Sequence, residues 1–166
     1  MDDQDPDRSF QQRLSRVRHD LRTPVGHIIG YAEMLEEDMD EDMPAGFGRD
    51  LNLIKHAGER LVALIDDHLG AAKTSLEEID LDEAQFQLRL QLNHISGYCE
   101  MLREEADDLD RDDLTADLVH IDDAQRRLLE LIEQRLQAAA FAPSPVDVGK
   151  AGDDDASESV AAPSSA

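Results

Sequence analysis

The sequence holds no tryptophan, two tyrosines, four phenylalanines and one cysteine, Cys99, in 166 residues. A lone cysteine excludes an intramolecular disulfide framework, and so few aromatic rings exclude a platform on which nucleobases stack. No apolar run approaches the roughly 18 residues needed to span a bilayer. The acidic start Met1-Asp2-Asp3-Gln4-Asp5 has neither the basic nor the apolar part of a secretory signal. Basic charge is scarce as well: 16 Lys and Arg stand against 39 Asp and Glu, a formal net charge of −23. Such a chain is repelled by phosphate backbones and anionic lipid, so no nucleic acid and no membrane insertion are expected. Proteins are the expected partners and the cytoplasm the expected location. The acidity itself reads first as a solvated surface suited to high salt. The length suffices for one ordinary domain with a buried core.

What the sequence does contain is an internal repeat. Shifted by 67 positions, the segment from His27 to Leu35, His-Ile-Ile-Gly-Tyr-Ala-Glu-Met-Leu, lies without a gap on His94 to Leu102, His-Ile-Ser-Gly-Tyr-Cys-Glu-Met-Leu. The register persists: Leu51, Ile54, Ala57, Arg60, Leu61, Leu64 and Ile65 fall on Leu118, Ile121, Ala124, Arg127, Leu128, Leu131 and Ile132. About 22 of the 54 positions from His19 to Ala72 are identical in the second copy, which exceeds shared helical composition and implies duplication.

Each copy reads as two helices. Phe10, Leu14, Val17, Leu21, Ile28, Tyr31 and Leu35 recur at steps of three and four, the spacing of a helix with one buried stripe. Asp5 before Pro6, or Ser9 with Gln12 three residues on, supplies the start signal. The acidic run from Glu36 to Asp42, closed by Met43-Pro44-Ala45-Gly46, makes the turn. Leu51, Ile54, Leu61, Leu64 and Ile65 carry a second helix to about Ala72. The second copy predicts helices from about Leu81 to Ala106 and from about Leu114 to Ala140. The expected fold is therefore all-α, a four-helix up-down bundle made of two tandem hairpins. The expected organisation is a disordered start at 1–8, hairpins at 9–74 and 75–141, and a tail at 142–166. That tail is rich in Ala, Pro, Ser, Gly and Asp and lacks large apolar residues, so it is expected to be disordered.

The chemistry gathers on the first helix, in Arg18-His19-Asp20-Leu21-Arg22-Thr23-Pro24. His19 lies two positions from both Val17 and Leu21, which turns it away from their stripe. A neutral imidazole there offers one ring nitrogen as nucleophile while a carboxylate holds the proton of the other, and Asp20 is the adjacent candidate. Thr23 stands one turn further on the same face, where a hydroxyl can orient water or a phosphoryl oxygen. Pro24 has no N–H for the Asp20 carbonyl, so a bend is expected there. Arg22 suits a planar phosphate contact, although a salt bridge to a surface acid is the more ordinary role. His27 and His94 have no such residues around them and read as structural. His56, His68 and His120 lack the paired spacing of a zinc site.

The stretch from His19 to Pro24, with the Gly-Tyr-x-Glu-x-Leu pattern of Gly30 to Leu35, resembles the phosphoacceptor box of the dimerisation and histidine-phosphotransfer domain of two-component sensor kinases. The resemblance covers about Ser9 to Ala72 directly and Leu81 to Ala140 only through the repeat. It implies that His19 accepts a phosphoryl group and that Thr23 serves dephosphorylation of the partner regulator. It also implies that the Pro24 bend takes part in helix rearrangement.

The second copy departs from that pattern. Phe86, Gln87, Leu90 and Gln91 stand where His19, Asp20, Thr23 and Pro24 stand, so this half is expected to pack and not to carry phosphoryl. No glycine-rich phosphate loop and no kinase ATP box follows, so autonomous ATP-dependent kinase activity is not expected.

The expected function is a phosphotransferase-type relay between His19 and the aspartate of a response-regulator receiver domain. A separate kinase ATP-binding domain is a further expected partner. No cofactor is expected in this chain, and Mg²⁺ is expected in the receiver. Two hairpins in one chain suggest a monomeric pseudo-dimer in place of the family's homodimer. Two other readings remain open at this stage: a non-catalytic dimerisation or scaffold bundle, and an N-terminal fragment of a larger signalling protein.

Overall fold

The computed structural model of the protein describes residues 6–142; of the disordered ends expected at 1–8 and 142–166, residues 1–5 and 143–166 lie outside the described residues. Four long helices follow one another, α1 (Pro6–Asp38), α2 (Ala45–Leu69), α3 (Leu81–Asp108) and α4 (Asp112–Arg135), with short 3-10 turns at Leu76–Glu78 and Ala138–Phe141. No strand occurs among the described residues. Helix α1 packs on α2 and α4, and α3 packs on the same two, which is the closed ring of an up-down four-helix bundle.

The stripes read from the sequence form its centre. On α1, Phe10, Leu14, Val17, Leu21, Val25, Ile28, Ala32 and Leu35 are all buried, and they meet Phe47, Leu51, Ile54, Leu61 and Ile65 of α2 in one continuous core with the second hairpin. Tyr31 is only half-buried; its ring stacks on His120 of α4 with centroids 4.8 Å apart.

Four boundaries differ from the expectation, each for a local reason. Pro6 opens α1, as suits a residue with no N–H to satisfy in a first turn, so residues 6–8 are helical and not part of a disordered start. Helix α1 also continues through the acids to Asp38, because Leu35 is buried and Glu36 is tied to Lys55 of α2 at 3.0 Å. Helix α2 stops at Leu69, before the alanines that favoured its continuation. Helix α4 likewise stops at Arg135, and the chain turns so that Phe141 is buried against Phe10, ring centroids 6.1 Å apart.

The turn between α3 and α4 is closed by Arg111 N–H donating to the Ala106 carbonyl at 2.9 Å and Asp110 N–H to Asp107 at 3.1 Å. This is the Schellman pattern, with Asp110 at φ 53° in the position that favours glycine. Helix α3 begins on Asp80, whose carboxylate accepts from the Glu83 N–H at 3.0 Å, satisfying one of the free amides of the first turn.

Interactions recur at the 67-residue offset. Arg18 Nη1 donates to the Leu69 carbonyl at 2.8 Å, and Gln85 Nε2 to the Leu136 carbonyl at 2.6 Å. Arg22 pairs with Asp66, and Arg89 with Glu133 at 3.6 Å. Two places are complementary in opposite senses. The Glu36–Lys55 pair of the first hairpin becomes Arg103–Asp122, at 3.6 Å, in the second. Ile29 sits over Gly58, where an added Cβ would stand 2.7 Å from Ile29 Cγ1, whereas Ser96 and buried Gln125 occupy the equivalent positions. Exposed ion pairs contribute little energy, but exchanging charge and bulk in this way makes each helix fit its own hairpin partner best.

Gly58→Val is expected to destabilise the bundle by about 1–3 kcal/mol through overpacking. Gly30→Ala and Gly97→Ala, where the new methyl meets nothing within 4 Å, should each stabilise it by about 0.5–1 kcal/mol. Urea unfolding followed by far-ultraviolet circular dichroism measures both signs.

Candidate functional site

His19 lies near the middle of α1 with Val17 and Leu21 buried on either side and its own side chain exposed. The 100° step of the helix produces this: neighbours two positions away point into the core when the residue between them points out. Thr23 is exposed one turn along, and its hydroxyl donates to the His19 carbonyl at 3.0 Å. Pro24 is buried, and α1 runs through it without interruption. Proline cannot donate to the Asp20 carbonyl, so one helical hydrogen bond is absent immediately below the histidine.

These residues border a cavity of about 310 Å³ in the groove between α1 and α4. Helix α1 supplies His19, Asp20, Thr23, Pro24 and His27; α4 supplies Ala124, Arg127, Leu131 and Arg135. Four of the five residues singled out from the sequence are thus together. The fifth, Arg22, is not part of this wall: it points to α2 and pairs with Asp66, the ordinary role considered for it.

Asp20 is engaged differently from the expectation. Its carboxylate faces Arg135 of α4 at 3.5 Å, and among the described residues no hydrogen bond joins it to the His19 ring. His27 is a second departure. Its sequence surroundings predict a structural role, yet it is exposed and borders the same cavity two turns beyond His19.

A second open hollow lies on the outer side of α1, where Gln11, Gln12, Ser15 and Arg16 share a surface with His19. The histidine therefore stands on a ridge that can be approached from two directions. Reasoning along the sequence missed Arg127 and Arg135, because the α1–α4 contact joins segments more than a hundred residues apart and no spacing rule reports it.

The equivalent groove between α2 and α3 carries no comparable chemistry. Phe86 and Leu90, in the places of His19 and Thr23, are 59% and 39% exposed, and Gln87 is occupied by a hydrogen bond to Glu83 at 2.8 Å. Among the described residues no group of three or more His, Cys, Asp or Glu is placed to hold a metal ion, and no helix is long and apolar enough to cross a membrane.

Comparison with known proteins bears on the first hairpin. The family described as "His Kinase A (phospho-acceptor) domain" matches residues 11–76. The chain is 30% identical over 84 residues to sensor histidine kinase RcsC of Escherichia coli (strain K12), an alignment covering 51% of this chain and 8% of that protein. It is 30% identical over 83 residues, 50% of this chain and 5% of the relative, to hybrid signal transduction histidine kinase L of Dictyostelium discoideum. With probable histidine kinase 3 of Oryza sativa subsp. japonica it shares 30% identity over 102 residues, 61% of this chain and 10% of the relative. The chain thus spans about a tenth or less of the length of these relatives. No solved structure matches it. The family match to residues 11–76, a segment whose exposed helical histidine stands one turn from a threonine and a proline, identifies these residues as a His Kinase A phospho-acceptor domain of two-component signalling.

Proposed function

We propose that the protein relays a phosphoryl group between His19 and the aspartate of a response-regulator receiver domain in the cytoplasm. The observation that carries this reading is the exposed His19 ring at the mouth of the α1–α4 groove, with Thr23 one turn below it. Transfer by such a module is mainly positioning. A neutral imidazole nitrogen takes the phosphoryl from the receiver's acyl phosphate, and the receiver's own Mg²⁺ and carboxylates balance the charge in flight. A separate ATP-binding kinase domain is the alternative donor, since the chain shows no phosphate-binding loop.

The tandem hairpins read as a duplicated unit, with the second copy taking the place of a partner subunit. The packing of α1 on α4 and of α2 on α3 within one chain, which closes the four-helix ring without a second subunit, supports a monomeric pseudo-dimer. Sedimentation at micromolar concentration should give a mass of 18.5 kDa; a stable species of twice that mass contradicts it.

The test of function is incubation with a panel of phosphorylated receivers and Mg²⁺, following loss of phosphate from the receiver and its appearance on the protein. Thr23→Ala should leave acceptance by His19 intact and slow net dephosphorylation of the receiver by roughly tenfold, the scale of one positioned proton-transfer or orienting group. Equal loss of both activities removes the role assigned to Thr23. One observation favours a second reading, a scaffold without chemistry: the exposure of Phe86 and Leu90 on the α2–α3 face. That reading requires partner binding to survive unchanged when His19 is replaced and Phe86 is kept.

A further inference from the structure

The second hairpin has lost the histidine, aspartate, threonine and proline of the acceptor box, yet it forms one wall of the groove in which His19 sits. That wall is cationic in a chain where acids outnumber bases by more than two to one. Arg127 and Arg135 both border the cavity. Arg127, 59% exposed, has only a marginal contact at 3.5 Å with Glu130 of its own helix, and Arg135, 44% exposed, reaches across to Asp20. The two grooves differ here as well. At the equivalent positions of the α2–α3 groove stand Arg60 and His68, so the guanidinium at 135 occurs only beside the acceptor.

We infer that Arg127 and Arg135, supplied by the half that cannot be phosphorylated, complete the phosphoacceptor site by holding the phosphoryl group on His19. This rests on the reading of His19 as the acceptor. The charge balance gives the reason. A phosphoryl group on the imidazole places two negative charges beside the Asp20 carboxylate, and at such distances in a partly enclosed groove that repulsion opposes the product. A guanidinium donates in a planar fork to phosphoryl oxygens as readily as to a carboxylate. Arg135, resting on Asp20, is placed to move from carboxylate to phosphoryl when the group arrives. Arg127, three positions beyond Ala124 on the same wall, adds a second guanidinium further along the groove. The degenerate copy is then a contributor to the site and not only its support.

Phosphoramidate separates this from any question of partner. The neutral His19 nitrogen attacks phosphorus, the new N–P bond forms as the bond from phosphorus to nitrogen breaks, and ammonia leaves. The product imidazolium keeps its other ring proton until Asp20 or water takes it. Initial rates of labelling are measured on the full chain over a range of phosphoramidate concentrations, with circular dichroism confirming helix content.

Arg135→Ala and Arg127→Ala are each expected to label roughly tenfold more slowly, the effect of one lost charge-assisted hydrogen bond. Arg135→Lys should lie between them and the wild type. Arg126→Ala removes the same unit of charge from a residue that pairs with Asp122 and does not border the cavity, and it should label at the wild-type rate. Wild-type rates in both alanine variants overturn the inference, as does an equal slowing by Arg126→Ala, which would make the effect one of bulk charge. A wild-type protein that takes no label at all overturns the relay function and this inference with it.

Discussion

Alanine at position 19 is expected to remove phospholabelling to background and to leave the bundle folded. The loss is complete because no other imidazole combines exposure with the surrounding chemistry. His120 is stacked on Tyr31, and His56 leans on Glu59 at 3.4 Å, far along α2. His27 is the only other histidine bordering the cavity, but two turns separate it from His19, and the residue one turn beyond it is Tyr31, not a threonine. The fold survives because the His19 ring packs on nothing in the core, and substitutions at such surface positions alter stability by no more than about 0.5 kcal/mol. Quantifying acid-labile, base-stable phosphate after incubation with a phosphorylated receiver checks the first half of the expectation, and thermal melting checks the second. Persistent labelling of His19→Ala would move the acceptor elsewhere.

The second large effect is on stability, and it crosses between hairpins. Leu61 of α2 is fully buried, and Leu61→Ala should cost about 3 kcal/mol, lowering Tm by roughly 10 °C for a bundle of this size. Because α2 packs on α3 as well as on α1, the two hairpins should unfold as one unit. Cys99 of α3 reports this. It is the free thiol, buried, with a pKa pushed up to about 12 by that burial and by nearby Asp122, so it reacts with thiol reagents only when the bundle opens. Leu61→Ala should therefore speed Cys99 modification by about a hundredfold, the same free energy expressed as an opening equilibrium. An unchanged rate would mean that the hairpins open independently.

The architecture was legible because the period of three to four persists in all four segments and recurs at a fixed offset. Where the sequence misled, tertiary contacts overrode local preference. Ala71, Ala72 and Ala138–Ala140 are good helix formers, yet α2 and α4 end before them, one so that the chain can cross to the second hairpin and the other so that Phe141 can reach Phe10. The acids from Glu36 to Asp38 stay helical because Lys55 of another helix neutralises part of their charge. The turn at Asp110 gave no signal, since the left-handed position is filled by aspartate where glycine is usual.

The α1 side of the candidate site was equally legible: His19, Asp20, Thr23 and Pro24 are local to one helix and border one cavity. Its cationic side was not. Arg127 and Arg135 look like unremarkable surface residues until α4 is laid against α1, and the true partner of Asp20 is visible only then. For Arg135 the sequence holds one usable signal, an arginine where the first copy carries His68; Arg127 has none, because Arg60 stands in its place.

The most direct measurement is the location of the phosphate itself. After transfer from a phosphorylated receiver, fragmentation that preserves the P–N bond, applied to the intact 18.5 kDa chain, should place a single phosphoryl group on His19. A phosphate found on any residue of the second hairpin, or on none, contradicts the account.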